Sequence, residues 1–157
     1  MAIDQVRAHL AQYGMAERIR VFDVSTATVE LAAAAVGCEP ARIAKTLSFA
    51  LEEGCVLIVC AGDVKIDNPK FKARFHTKAK MLPPERVEEL TGHRVGGVCP
   101  FAVKADTAKI CLDESLRRFE TVYPACGSDN SAIELTLEEL ARITGGEWVD
   151  VCKPAQG

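Results

Sequence analysis

The sequence predicts one mixed α+β domain, a barrel-like sheet surrounded by short helices. Short strand-like and helix-like segments alternate along the 157 residues, without the long regular crossovers of a doubly wound sheet. Apolar residues make up 48% of the chain, which is enough for a core at this length. Because no repeat, linker or low-complexity tract divides the chain, we expect a single domain over residues 1–157.

The first part of the chain predicts two helices separated by a short strand. Apolar residues recur at helical spacing over residues 3–10, and then alternate as in a strand over residues 19–21. A second helix is expected over residues 29–36, with Ser25 or Thr26 as its N-cap.

The middle of the chain predicts a β-hairpin followed by two helices. Apolar segments flank Glu52-Glu53-Gly54 within residues 45–59, which is the pattern of two central strands joined by a turn. Asn68-Pro69 and Pro83-Pro84 each suit the start of a helix, and Gly92 suits the end of the second.

The last part predicts four short strands and one helix. A capping box at residues 136–139 begins the helix, and Gly145-Gly146 ends it. Residues 114–118 suit one helical turn. The strands are expected at residues 110–112, 121–123, 132–135 and 148–151.

The segment Gly96-Gly97-Val98-Cys99-Pro100-Phe101 suits a binding loop made by the backbone. Two adjacent glycines allow positive φ and close approach to a ligand, and Pro100 keeps Cys99 out of the α region. Exposed N–H groups of such a loop can point at a carbonyl or an oxyanion. The same residues also suit a plain tight turn between strands.

Composition and motifs exclude several classes of protein. The net charge of −3 does not suit a histone-like polyanion binder, and no apolar run is long enough to span a membrane. The seven cysteines form no C-x-x-C pair and no zinc-ligand spacing, so they are expected to be reduced thiols, with no metal or cofactor. Nucleophile elbows, HExxH, Walker and dinucleotide-binding motifs are missing. Neither Cys99, Cys126 nor any histidine has a motif partner that would make it a catalyst.

Lys45 is one cation within the apolar segment 43–49, which is expected to enter a core strand. A buried lysine has to be paired or lose its proton, and either an internal carboxylate or the phosphate of a ligand would satisfy it. The sequence alone leaves both the structural and the functional reading open.

Taken in order, several short motifs resemble the YbaK-like family, the free-standing relatives of the prolyl-tRNA synthetase editing domain. The resemblance covers roughly residues 20–150. Its motifs are Gly37-Cys-Glu-Pro40, Ile43-Ala-Lys45-Thr46-Leu47, Gly62-Asp63, Thr91-Gly92, Gly96 to Phe101, Asp113-Glu-Ser115 and Gly127 through Leu135.

This resemblance implies the barrel-like editing-domain fold and hydrolysis of the ester that joins a wrong amino acid to tRNA. It implies that Lys45 is essential and contacts the phosphate at the terminal adenosine, while the loop from Gly96 to Pro100 positions the aminoacyl carbonyl. Loop N–H groups that stabilise the oxyanion would make a protein nucleophile unnecessary. The implied substrate-binding residues are Phe22, Thr46, Phe101, Gly127, Asn130 and Ser131.

The implied substrate is tRNA-Pro carrying cysteine or another small amino acid. Thr46 resembles the cysteine-removing members, whereas Ala132 stands where those members tend to carry an acid. Small aliphatic or hydroxylated amino acids therefore stay open as substrates, because an apolar pocket discriminates one methylene by only about 1–3 kcal/mol.

A basic segment is the expected tRNA contact, although a solvated surface chosen for solubility would have the same composition. In sequence it contains a single acid, Asp67. Its basic residues are Lys65, Lys70, Lys72, Arg74, Lys78 and Lys80.

Two other classes of function stay open. The chain could be a non-catalytic module that binds tRNA or a synthetase, or, given seven cysteines, a redox or metal protein. The expected location is the cytoplasm, and aminoacyl-tRNA is the expected partner, with an aminoacyl-tRNA synthetase as a further candidate. The oligomeric state is not readable from the sequence.

Overall fold

The structure is a computed structural model that describes residues 2–155. Within that range it has five short α-helices and three 3-10 turns, the turns at Ala16–Arg18, Pro40–Arg42 and Glu114–Arg118. The helices are Ala2–Ala11 (α1), Val29–Val36 (α2), Asn68–Phe75 (α3), Pro84–Thr91 (α4) and Leu137–Thr144 (α5).

Ten strands lie in the same range, and six of them form one mixed, curled sheet. The strands are Arg20–Val21 (β1), Ile43–Ala50 (β2), Cys55–Ala61 (β3), Val64–Ile66 (β4), Ala108–Asp113 (β5), Thr121–Pro124 (β6), Ser131–Ala132 (β7), Leu135–Thr136 (β8), Glu147–Val149 (β9) and Cys152–Pro154 (β10). The order of the six is β8-β6-β2-β3-β5-β9, and the pairs β1-β7 and β10-β4 stand apart.

The hairpin of β2 and β3 forms the centre of the sheet. The two strands pair antiparallel, with Lys45 opposite Cys60, whereas β6 pairs parallel to β2 and β5 parallel to β3. Every residue of β3 is buried, as expected for a strand covered on both faces. The predicted α+β class and the predicted central hairpin are both confirmed.

Helix ends follow local capping chemistry, with one correction. The N-cap of α2 is Thr28, whose Oγ1 accepts a hydrogen bond from Leu31 N at 3.2 Å, so the prediction of Ser25 or Thr26 was wrong. Thr26 is instead buried, and its Oγ1 donates towards Ser131 O at 3.5 Å. The capping box of α5 is present as predicted, with Thr136 and Glu139 each accepting from the other's backbone N–H.

Two predicted strands are not continuous in the structure. Residues 132–135 belong to β7 and β8, which pair with different partners, and residues 148–151 contain the end of β9 but stop before β10. The second break has a visible cause at Asp113, which is 1% exposed. Its Oδ1 accepts from Val151 N and its Oδ2 from Ser115 N, both at 2.9 Å, so Val151 is tied to the end of β5.

The main core lies against the sheet, between it and helices α1, α3 and α5. Phe71 of α3, Leu10 of α1 and Leu140 of α5 are fully buried there. No helix among residues 2–155 combines the length and the apolar character needed to cross a bilayer.

Candidate active site

A cleft of about 470 Å³ opens beside the first half of β2. Its walls are the start of α2, strand β2, the start of α4 and the glycine loop, and most of its lining is apolar. The polar side chains in the lining belong to Thr26, Thr28, Lys45, Thr46, Ser48 and Tyr123. A volume of this size is typical of small-molecule sites.

Within residues 2–155, Lys45 is the one charged residue that lines the cleft. Its ammonium group donates to the carbonyl oxygen of Val64 and lies 3.4 Å from that of Gly62. No carboxylate among the described residues forms an ion pair with it. The sequence had left an internal Asp open as partner, but the hydrogen-bond acceptors are two neutral backbone oxygens, and the Asp63 carboxylate interacts with Lys45 electrostatically without an ion pair.

The turn that supplies these oxygens needs a glycine. A Cβ on Gly62 would lie 2.0 Å from the carbonyl oxygen of Pro40, so any side chain would displace the turn. The adjacent Asp63 carboxylate accepts from Arg118 Nη1 at 3.0 Å, and this hydrogen bond lowers the pKa of Asp63. Asp63 is thus engaged by Arg118, which fixes the turn from its outer side.

The N-terminus of α2 adds to the positive potential of the cleft. Ala27, Thr28 and Val29 line the cleft at the point where the helix begins. Free N–H groups and the helix dipole favour negative charge at such an end. Together with Lys45, this end of the cleft suits an anionic group.

The glycine loop forms the opposite wall. Gly96 has φ +94° and lines the cleft with Val98, so the backbone itself faces a ligand there. Gly97 lies on the other side of the loop, where an added Cβ would be 3.0 Å from the backbone of Gly127 and of Ser128. The loop therefore rests directly on the chain at residues 127–128.

The rest of the predicted loop site is buried behind the cleft. Cys99, Pro100 and Phe101 are buried and do not contribute to the cleft lining. Burial raises the pKa of the Cys99 thiol to about 12, so the thiol stays protonated at neutral pH. An attacking nucleophile needs the thiolate and access to substrate, and Cys99 has neither.

The remaining predicted substrate residues divide between the cleft and its surroundings. Thr46 lines the cleft, whereas Phe22, Gly127, Asn130 and Ser131 lie outside its lining. Asn130 Nδ2 donates to Phe22 O at 3.2 Å, which joins the segment before α2 to the segment before β7. These residues support the wall of the cleft at Thr26 and Ala132 and leave the contact surface to smaller side chains.

The predicted basic surface is partly neutralised by acids that are distant in sequence. Lys70 Nζ lies 3.0 Å from Asp150 Oδ1, and Arg74 pairs with Glu147. Asp67, the single acid within the segment itself, is the N-cap of α3. The members without an ion pair within residues 2–155 are Lys65, Lys72, Lys78 and Lys80.

Three comparisons with known proteins agree with this geometry. The family profile of the aminoacyl-tRNA editing domain matches residues 23–143. The chain belongs to the aminoacyl-tRNA editing domain family. All cleft-lining residues, from Thr26 to Ala132, fall inside the matched range of the editing domain.

Relatives of the editing domain include free-standing and fused proteins. The uncharacterized protein YwhH of Bacillus subtilis is 50% identical over 155 residues, which are 98% of each chain. A proline–tRNA ligase of Thermotoga maritima is 31% identical over 131 residues, 83% of this chain but 22% of the ligase. A solved structure described as a candidate trans-editing enzyme for prolyl-tRNA synthetase superposes with a TM-score of 0.87 at 30% identity, over 97% of both chains.

Sequence reasoning missed several residues of the editing-domain cleft. They are contributed by the segment before α2, by β2 and β6, and by the segments before and after α4, which meet only in the folded chain. They are Thr26, Thr28, Ser48, Met81, Val95 and Tyr123. The N-cap Thr28 had a local signature, whereas the position of Tyr123 depends on the pairing of β6 with β2.

The editing domain shows no metal centre within residues 2–155. No group of three or more His, Cys, Asp or Glu residues there could hold an ion, and the seven cysteines are free thiols. Six of them are buried and Cys38 is partly exposed.

Proposed function

We propose that this protein hydrolyses the ester bond of mischarged aminoacyl-tRNA. The single observation that carries the proposal is that Lys45 and the backbone of Gly96 line the same cleft of an editing-domain chain. A substrate that joins a phosphate-bearing nucleotide to a small acyl group has an anion and a carbonyl at its two ends. Aminoacyl-tRNA is such a substrate.

Lys45 is assigned to the phosphate at the terminal adenosine. Its ammonium group donates to neutral oxygens of Gly62 and Val64 and forms no ion pair within residues 2–155, so it is available to a phosphate. The N-terminus of α2 supports the same negative charge. Charge-assisted contacts of this kind are stronger than those between neutral groups, and they orient the ligand.

The loop from Gly96 to Pro100 is assigned to the aminoacyl carbonyl. N–H groups that point at the developing oxyanion stabilise the transition state, and losing one such donor typically costs about 3 kcal/mol. Water, positioned by the site or with the help of the neighbouring ribose hydroxyl, attacks the carbonyl carbon, and its proton goes to the leaving ribose oxygen. The ester C–O bond breaks, and the products are a free amino acid and tRNA with a free terminal hydroxyl.

The cleft chemistry favours a mechanism without a protein nucleophile. Its lining within residues 2–155 contains hydroxyl groups and Lys45, but no carboxylate, histidine or cysteine. An aminoacyl ester is already activated, so positioning of the attacking group and stabilisation of the oxyanion can suffice.

Small amino acids are the proposed acyl groups, with cysteine on tRNA-Pro as the first candidate. The cleft lining combines the small apolar side chains of Ala32, Ala125 and Ala132 with the hydroxyl group of Thr46. Relatives with prolyl-tRNA synthetase in their descriptions support tRNA-Pro as the carrier. We assign tRNA contacts to Lys65, Lys70, Lys72, Arg74, Lys78 and Lys80, propose the cytoplasm as the location, and name a synthetase as a further candidate partner.

The proposal is tested by incubating the protein with tRNA-Pro carrying alanine, cysteine, serine or proline, and with cognate Cys-tRNA, Ala-tRNA and Ser-tRNA. We expect release of one small amino acid from tRNA-Pro well above spontaneous hydrolysis, and no release of proline. Binding of tRNA without release of any amino acid would favour the alternative of a non-catalytic binding module.

A further inference from the structure

We propose that His93 is a positioning residue that fixes the shape of the glycine loop through a hydrogen bond across its base. This inference rests on the proposed function, because it deepens the role of the loop in ester hydrolysis. His93 comes just after α4, does not line the cleft and is 0% exposed. It had no motif partner in the sequence, and the structure gives it one.

The imidazole ring joins the two ends of the loop. His93 Nε2 lies 2.7 Å from the carbonyl oxygen of Phe101, eight residues further along the chain. A carbonyl only accepts, so Nε2 carries the proton and Nδ1 is the bare nitrogen. The intervening residues 94–100 include Gly96 and Val98, which line the cleft.

The backbone of His93 is held by the end of α4. Thr91 Oγ1 donates to Val87 O at 2.7 Å and accepts from His93 N at 3.1 Å. Thr91 is also 0% exposed. The end of α4 thus fixes the position of the His93 ring, and the hydrogen bond from Nε2 fixes the carbonyl group of Phe101.

The far end of the loop needs this support. Phe101 is fully buried, and the next residue, Ala102, has φ +53°, a strained value for a residue with a side chain. Cys99 Sγ also lies near the Phe101 carbonyl, at 3.8 Å, and 3.6 Å from His93 Nε2. The short hydrogen bond from His93 is therefore the main contact of the Phe101 carbonyl oxygen with these two side chains, and the thiol of Cys99 adds only a long one.

The unpaired Nδ1 atom indicates that His93 serves the hydrogen bond from Nε2 to the Phe101 carbonyl oxygen. Nδ1 is buried and has no hydrogen-bond partner among residues 2–155. An unpaired buried polar atom is costly, and an apolar side chain of similar size would avoid that cost. Burial also lowers the pKa of His93, which keeps the ring neutral.

The first test compares His93→Leu, which removes the donor, with His93→Gln, whose side-chain amide can still donate to Phe101 O. We expect kcat for release of the amino acid to fall by about 100-fold in His93→Leu, with KM little changed, because a loop displaced by about 1 Å loses transition-state contacts. His93→Gln should recover much of the loss. Ile143→Ala, a core change in α5 outside the loop, controls for destabilisation alone.

Amide hydrogen exchange of residues 94–101 gives a readout that needs no activity. We expect faster exchange there in His93→Leu, slower exchange again in His93→Gln, and wild-type exchange of that segment in Ile143→Ala. A folded His93→Leu protein with wild-type kcat and wild-type loop exchange would overturn the inference. A wild-type protein inactive on every charged tRNA would instead overturn the proposed function, and loop exchange would then decide the inference.

If His93→Leu does not fold, nitrogen NMR of histidine-labelled wild-type protein decides the question. We expect the proton on Nε2 and a bare Nδ1 at neutral pH, with the ring proton protected from exchange with solvent. A ring protonated on Nδ1, or a rapidly exchanging Nε2 proton, would overturn the inference.

Discussion

The Nζ atom of Lys45 lies 3.4 Å from the carbonyl oxygen of Gly62, in the turn that joins β3 to β4. Two strands of the central hairpin thus place a cation at the cleft and a turn of backbone oxygens beneath it. The turn approaches Pro40 too closely for a side chain at position 62. The position of the Lys45 ammonium group therefore depends on the geometry of this turn.

Gly62→Ala is therefore expected to damage both stability and activity. The added Cβ would collide with the backbone at Pro40, so we expect a loss of about 3 kcal/mol in the free energy of unfolding. Gly37→Ala is the matched control, because Gly37 has φ +81° but open space around its Cβ position. It should cost about 1 kcal/mol. Urea unfolding measures both, and equal losses would contradict the account.

Gly97→Ala tests whether the loop must rest on residues 127–128. Its Cβ would lie 3.0 Å from Gly127 C and Ser128 N, so the loop has to move away from that support. We expect kcat for deacylation to fall by about 100-fold, since the loop N–H groups would be displaced. Gly145→Ala is the control, because Gly145 follows the last turn of α5 and has open space around its Cβ position. A Gly97→Ala protein with wild-type kcat would show that loop position does not limit the reaction.

Cys99 is expected to be dispensable as a nucleophile. Burial raises the pKa of its thiol to about 12, and the side chain is closed off from the cleft. Cys99→Ala should keep deacylase activity at the wild-type order of magnitude. Iodoacetamide should modify Cys38 first, so treatment of a Cys38→Ser protein should leave activity intact. Rapid inactivation of that protein by the reagent would contradict this prediction.

Glu139 is expected to make stability depend on acid pH. The Arg18 guanidinium lowers the pKa of Glu139 from 4.5 to about 2, with a further contribution from the hydrogen bond to Thr136 N. A depressed carboxyl pKa stabilises the folded state above the unfolded value, and the stabilisation disappears as pH falls from about 4.5 to 2. Glu139→Gln should be less stable than wild type at pH 7, and the difference should vanish at the acid end. If the free energy of unfolding of wild type and of Glu139→Gln depended on pH in the same way, the prediction would be wrong.

The tRNA surface should depend on the lysines that carry no ion pair. Reversing the charge at Lys72 and Lys78 should weaken tRNA binding and reduce the slope of log K against log salt by about 0.7–0.9 per lost phosphate contact. Lys70→Glu should have a smaller effect, because Asp150 already engages Lys70. Lys104→Glu, in the segment between α4 and β5, is the control, because Lys104 is exposed and does not belong to the basic segment. Binding unchanged by the double reversal would remove this surface from the proposal.

Local chemistry explains which parts of the fold were predictable. Two features that depend on residues close together in sequence appear as predicted. They are the capping box at Thr136 and Glu139 and the hairpin turn at residues 52–54. The break before β10 was not predictable, because it depends on Asp113, 38 residues from Val151. Long-range hydrogen bonds leave no local pattern in one sequence.

The same distinction applies to the site. Lys45 stood out because a charge in an apolar strand is unusual, and the glycine loop stood out by its composition. The oxygens that hold Lys45 come from Gly62 and Val64, and the acid that neutralises Lys70 comes from 80 residues away. Which lysines are free to bind RNA is a property of the folded surface, and the sequence alone could not show it.

The central claim is most directly tested by single-turnover deacylation with wild-type protein and Lys45→Met, using tRNA-Pro charged with the amino acid that wild type releases. Removing the cation should lower the rate by about 100-fold or more, towards spontaneous hydrolysis, while stability stays close to wild type because Lys45 forms no ion pair within residues 2–155. Lys104→Met controls for the loss of a positive charge outside the cleft and outside the basic segment. A Lys45→Met protein that deacylates at the wild-type rate would contradict the account.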